Sequence, residues 1–137
     1  MQDLIQECKL SFYKELYRFD DTGYTLIINE TTGELFLKKE LATYNISVYE
    51  YLKAHQCKFI PHIEEYYEAE GKLIVYEEYV QGEKLSELME SNILAEAEKL
   101  KLLNMLCEAL DFLHNATPPI IHRDVKAQNI IITNDGY

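Results

Sequence analysis

The chain has 137 residues, 47% of them apolar and 12% aromatic, enough for about one ordinary domain with a buried core. Its formal net charge of −11 argues against nucleic acid or an anionic membrane as the main partner, because both are polyanions. No run of about 18 apolar residues is present to span a membrane, and the acidic opening MQDLIQECKL is unlike a signal peptide, so a cytoplasmic protein is expected.

The opening residues 1–21 are ambiguous: MQDLIQECKL fits a short helix and FYKELYRF a strand. Tyr24 to Asn29 (YTLIIN) and Glu34 to Lys39 (ELFLKK) read as strands, joined through Glu30-Thr31-Thr32-Gly33 as a hairpin. Ala42 to His55 places Ile46, Tyr49 and Leu52 at helical spacing. FIPHIEEYY and KLIVYEEYV are two further strands around Glu68-Ala69-Glu70-Gly71, and Gln81-Gly82 breaks the pattern. LSELME, Leu85 to Glu90, is a short helix. From Ala95 to Asn115, Leu100, Leu103, Leu106, Cys107, Leu110 and Leu113 recur every three or four residues, which predicts an amphipathic helix. Pro118-Pro119 ends it. Ile130 to Thr133 reads as a strand, and Asn134-Asp135-Gly136 as the hairpin turn after which its partner should follow. The cysteines, Cys8, Cys57 and Cys107, are odd in number and widely spaced, so reduced, mostly buried thiols are expected.

The chemistry concentrates in His122-Arg123-Asp124-Val125-Lys126-Ala127-Gln128-Asn129. Taken singly, each of these is an ordinary loop or core residue. Taken together, His, Arg, Asp, a Lys two after the Asp and an Asn five after it resemble the catalytic loop of the serine/threonine protein kinases. Phosphoryl transfer needs positioning and charge neutralisation more than covalent help. The resemblance implies that Asp124 accepts the proton of a substrate hydroxyl and that Lys126 neutralises charge on the phosphoryl group. Asn129 would ligate Mg2+ through its amide oxygen. His122 would pack, and Arg123 would pair with a phosphorylated segment. LFLK, Leu35 to Lys38, lies where the family has Val-Ala-Ile-Lys, so Lys38 would hold the α- and β-phosphates of ATP. KLIVYEEYVQG looks like the family's hinge, where Glu78 and Val80 would offer backbone groups to adenine.

The implied fold is α+β. Residues 1–80 would form a protein-kinase-like small lobe, an antiparallel sheet of about five strands plus one helix. Residues 81–84 would be the hinge, and 85–137 would hold the first helices and the catalytic loop of the large lobe.

Several positions depart from the family. Arg18-Phe19-Asp20-Asp21-Thr22-Gly23 stands where three glycines belong, and its two carboxylates would repel a triphosphate. Phe36 replaces the small residue that roofs the adenine pocket. Val48 falls where a helical Glu should pair with Lys38; Glu50 is about 200° further round the helix, and Glu40 is the other candidate. Glu77 falls at the gatekeeper position and Ala127 where many members have Pro. The Asp-Phe-Gly motif, whose Asp is the main metal ligand, belongs about a dozen residues after Asn129, beyond Tyr137.

The first expectation is therefore a fragment of a kinase acting on a protein substrate, not active alone. The alternative is a pseudokinase-like regulatory module bound to a protein partner. A small-molecule phosphotransferase with a His-Gly-Asp loop is disfavoured by Arg123 and Lys126. The apolar helix stripe and an unpaired strand are expected to make the fragment self-associate.

Overall fold

The computed structural model describes residues 2–121 and 125–133. They divide into two compact units, one of residues 1–54 and 62–79, the other of 55–61 and 80–137.

The first unit is built on a five-stranded antiparallel sheet in the order β1-β2-β3-β5-β4. Its strands are β1 (Tyr13–Arg18), β2 (Thr25–Asn29), β3 (Leu35–Leu41), β4 (Ile63–Ala69) and β5 (Lys72–Glu78). The ambiguous opening resolves into helix α1 (Gln2–Leu10) followed by β1. Helix α2 (Ile46–Ala54) lies between β3 and β4 in sequence. Turn chemistry sets the register. Glu70 and Gly71 both have positive φ, 53° and 76°, the geometry of a two-residue type I′ hairpin whose twist matches its strands. At the β2–β3 turn the Asn29 side-chain oxygen accepts from the amides of Thr31 (2.9 Å) and Thr32 (3.2 Å).

Alternation along the strands gives this sheet two apolar faces. On one, Ile27, Phe36, Ile74 and Tyr76 are buried, with Leu10 of α1, Tyr13 and Tyr67 packed against them. On the other, Ile63, Leu73 and Val75 are buried beneath Tyr49 and Leu52 of α2 and beside Leu41, Tyr44 and Tyr66. Phe36 is therefore a core residue of the α1 side. Its ring meets Tyr13 edge-on at 5.8 Å, and it is Leu37 that shares the α2 side. Glu40, the second candidate for a helical carboxylate, lies on the Phe36 side and reaches Lys72 at 3.8 Å.

In the second unit a short strand unforeseen in the sequence, β6 (Gly82–Lys84), pairs antiparallel with β7 (Ile131–Thr133). The last strand is thus paired along one edge, through a partner about fifty residues earlier in the chain; the hairpin partner expected after it lies outside the described residues. The pairing needs Gly82: a Cβ there would collide with the carbonyl of Ile132. Such close strands admit only a residue without a side chain. Helix α3 (Leu85–Glu90) starts directly from β6, with the Leu85 amide bonded to the Ile130 carbonyl at 2.8 Å. The turn expected at Asn134-Asp135-Gly136 lies outside the described residues.

Helix α4 (Glu96–His114) follows the expected span; of the expected stripe, Leu106, Leu110 and Leu113 are covered and Leu100, Leu103 and Cys107 are exposed. Ala109 and Leu113 are buried and Leu102, Met105 and Leu106 half-buried, whereas Leu100, Leu103 and Cys107 are exposed. The helix is apolar around more than one face, so periodicity alone does not choose which is covered. Asn115 closes it, its side-chain amide donating to the Asp111 carbonyl at 2.8 Å. Cys8 and Cys107 are exposed and Cys57 half-buried, all three free, so the thiols are not mostly buried as expected. Among the described residues, no helix is long and apolar enough to cross a membrane.

Candidate functional site

Two adjacent lysines end up on opposite sides of the first unit's sheet, because successive strand residues alternate. Lys38 shares the side of Phe36 and Tyr76, and its ammonium lies 3.2 Å from Glu15 of β1. A polar cavity of about 390 Å³ opens beside it, bounded by Glu15, Arg18, Gly23, Thr25 and Glu40. Lys39 pairs in register with Val75 and so lies on the side that α2 covers.

On that side Lys39 meets the Glu77 carboxylate at 2.7 Å, with only 22% and 19% of the two side chains exposed. Leu37 and Glu77 are register partners, so the pair runs diagonally across neighbouring strands with its spacing fixed by the ladder. A charge-assisted bond this short and this sheltered is worth on the order of 1–3 kcal/mol. The Lys39 ammonium also stands 4.9 Å from the ring centroid of Tyr24, a cation–π distance. Tyr24 closes the loop after β1, where its carbonyl accepts the Phe19 amide and the Gly23 amide returns to the Phe19 carbonyl, both at 2.8 Å. Tyr49 of α2 completes the cluster. Burial pushes its hydroxyl pKa above the ordinary value, and the nearby charge of Glu77, then Tyr24, adds to the shift.

Helix α2 has one acidic residue, Glu50, and it is exposed. The carboxylate beside Lys39 thus comes from β5. The hinge candidates lie at the end of that strand. The Glu78 amide donates to the His62 carbonyl (2.8 Å), and the Glu78 carboxylate accepts the His62 amide (3.0 Å). Val80 begins the second unit and is half-buried.

The loop candidates occupy the second unit. His122, Arg123 and Asp124 lie outside the described residues. Lys126 is extended and leads into a single 3-10 turn, Ala127–Asn129, closed by the Asn129 amide on the Lys126 carbonyl at 2.9 Å. The next residue, Ile130, bonds to α3, and β7 then binds β6. Lys126 and Asn129 are thus carried on a tight turn whose C-terminal end is tied down twice.

A two-lobe phosphotransferase architecture accounts for a five-stranded antiparallel sheet with one inserted helix, followed by helices and a loop of this composition. The comparison with known families agrees: the model of the protein kinase domain matches residues 25–137. The chain belongs to the protein kinase family. It is 38% identical over 69 residues to the serine/threonine-protein kinase flr-4 of Caenorhabditis elegans, a stretch that is 50% of this chain and 12% of that protein. Over 111 residues, 75% of this chain, it is 30% identical to the striated muscle preferentially expressed protein kinase of Danio rerio, of which that stretch is 4%. It is also 43% identical over 65 residues to the calmodulin-binding receptor-like cytoplasmic kinase 1 of Arabidopsis thaliana, covering 44% of this chain and 14% of that protein. The chain therefore spans a small part of the length of these relatives.

The sequence places Tyr24 and Lys39 on strands and Tyr49 on a helix but marks none of them as a site residue. The doubled lysine of LFLKK was the available signal: in a strand, one of two adjacent lysines must face each side.

Proposed function

We propose that this chain is the nucleotide-handling part of a serine/threonine protein kinase that transfers the γ-phosphate of ATP to a protein hydroxyl. The observation that carries the reading is the family match through the complete His122-to-Asn129 loop. Asp124 takes the hydroxyl proton, and Lys126 offsets phosphoryl charge. The site suits its cofactors: Asn129 carries the hard amide oxygen that Mg2+ prefers, and Lys39 is a half-buried ammonium suited to a polyphosphate. Mg-ATP supplies the transferred group; the protein's residues orient it. Glu78 and Val80 are the hinge residues for the adenine edge. A cytoplasmic location goes with this reading, as does self-association of the chain through the exposed leucines of α4.

A pseudokinase-like regulatory module is the second reading. The loop after β1 favours it, with Gly23 as its one glycine and both Asp20 and Asp21 exposed.

The test is phosphate transfer from radiolabelled Mg-ATP to a generic protein substrate by the full-length gene product. Asp124→Asn should lower kcat by about 100-fold or more. An unchanged rate in Asp124→Asn would refute the catalytic assignment. No transfer together with no calorimetric affinity for Mg-ATP would establish the regulatory reading instead.

A further inference from the structure

We propose that Glu77 is the residue that positions Lys39 for a nucleotide phosphate, doing from strand β5 what a carboxylate on α2 would otherwise do. The proposal rests on the nucleotide-handling reading and adds to it which lysine acts and what holds it.

The geometry distinguishes the two lysines. Lys38 pairs with Glu15, whose side chain is 65% exposed, at 3.2 Å on the α1 side of the sheet. Lys39 pairs at 2.7 Å with Glu77, which is 19% exposed, and has an aromatic ring at its back. The two lysines are about equally sheltered, 23% and 22% exposed; what differs is the carboxylate, open to solvent and screened in the first pair, sheltered in the second. An ammonium has three hydrogens. One directed at Glu77 leaves two, while the Tyr24 ring restricts where the ammonium can swing. That is the condition for a lysine to meet an anion without first losing side-chain freedom.

Helix α2 offers no competing carboxylate at this spot. Tyr49, not an acid, is the α2 side chain whose electrostatics register Glu77 and Tyr24. An acidic residue at 49 would place a second negative charge beside Glu77, and a single lysine cannot neutralise both.

The location of the partner has a regulatory consequence. A carboxylate on a helix sets its lysine only when that helix is docked. Glu77 sits on the strand adjacent to β3, and the β3–β5 ladder fixes the pair. Displacing α2 therefore leaves the ladder spacing of the pair in place and removes only the cover that Tyr49 gives it.

The experiment is side-chain ammonium NMR on the 137-residue chain labelled with 15N-lysine, with ATP as the probe. Lysines in persistent ion pairs give sharp ammonium signals, and Lys39→Met identifies the one from Lys39. Three results are expected. Glu77→Gln, which keeps the shape and removes the charge, broadens that signal. ATP shifts it in the wild type. In calorimetry Lys39→Met weakens ATP binding about tenfold or more, and Lys38→Met changes it less than about twofold. A Lys39 signal that depends on Glu77 but ignores bound ATP would show a merely structural pair and overturn the proposal, leaving nucleotide binding intact. A signal indifferent to Glu77→Gln would overturn it as well. If the full-length product binds Mg-ATP nowhere, the nucleotide-handling reading itself fails, and the Glu77 dependence is then read separately from the apo spectra.

Discussion

Gly82→Ala tests how the loop through Lys126 and Asn129 is anchored. A Cβ at this position meets the Ile132 carbonyl oxygen and carbon inside contact distance, with Ile131 Cγ2 at 3.0 Å. Two of these three neighbours are backbone, so no rotamer change relieves the overlap. Either β7 moves away or β6 does. Overpacking of this kind costs about 1–3 kcal/mol. The strand pair is only three residues long on each side, so the strain falls on the register Gly82↔Thr133, Glu83↔Ile132 and Lys84↔Ile131. One to three kcal/mol corresponds to roughly a 5- to 150-fold increase in local opening. Native-state hydrogen exchange should therefore show the Ile131–Thr133 segment exchanging faster by about that factor. Val75 and Leu73, fully buried in the first unit, should keep wild-type protection. Gly33→Ala is the control. Nothing lies within 4 Å of its added Cβ, and only its φ of +75° opposes the change, so the loss should stay near 1 kcal/mol with no effect on β7. Wild-type exchange of residues 131–133 in Gly82→Ala would refute the claim that β6–β7 pairing holds the loop.

Alkaline stability should be set by the tyrosines of the first unit. Burial raises the hydroxyl pKa of Tyr76 furthest, with Tyr67 adding to it, and burial also raises Tyr13 and Tyr49. A raised folded pKa stabilises the fold fully below the unfolded value near 10, and that contribution is lost as pH rises through it. Denaturant midpoints should thus fall above about pH 10, and Tyr76→Phe should flatten the fall; a midpoint constant to pH 11 would contradict this assignment. Association should depend on α4. Leu100 and Leu103 are 64% and 55% exposed, so Leu100→Glu/Leu103→Glu should leave the thermal midpoint almost unchanged. The same variant should abolish concentration-dependent sedimentation, and a wild-type chain monomeric at every concentration would remove the basis for association.

The family, the α+β class and most of the order of elements were legible in the sequence because they depend on local rules. Alternation in YTLIIN and KLIVYEEY specifies strands, the leucine period of Ala95–Asn115 specifies a helix, and the spacing of the His122-to-Asn129 loop specifies a family. Tertiary structure decided everything that depended on which side of an element is covered. Phe36 and Lys38 went to the α1 side and Leu37 and Lys39 to the α2 side, because one residue of register inverts every side chain on a strand. On α4 the tertiary structure decided which part of the stripe is covered: Leu113 is buried with Ala109, while Leu100 and Leu103 are exposed. The β6–β7 pair joins residues about fifty positions apart, a contact that no local pattern encodes. The loop motif thus names the family from sequence alone, while the pleat of β3 decides which lysine of LFLKK stands beside Glu77.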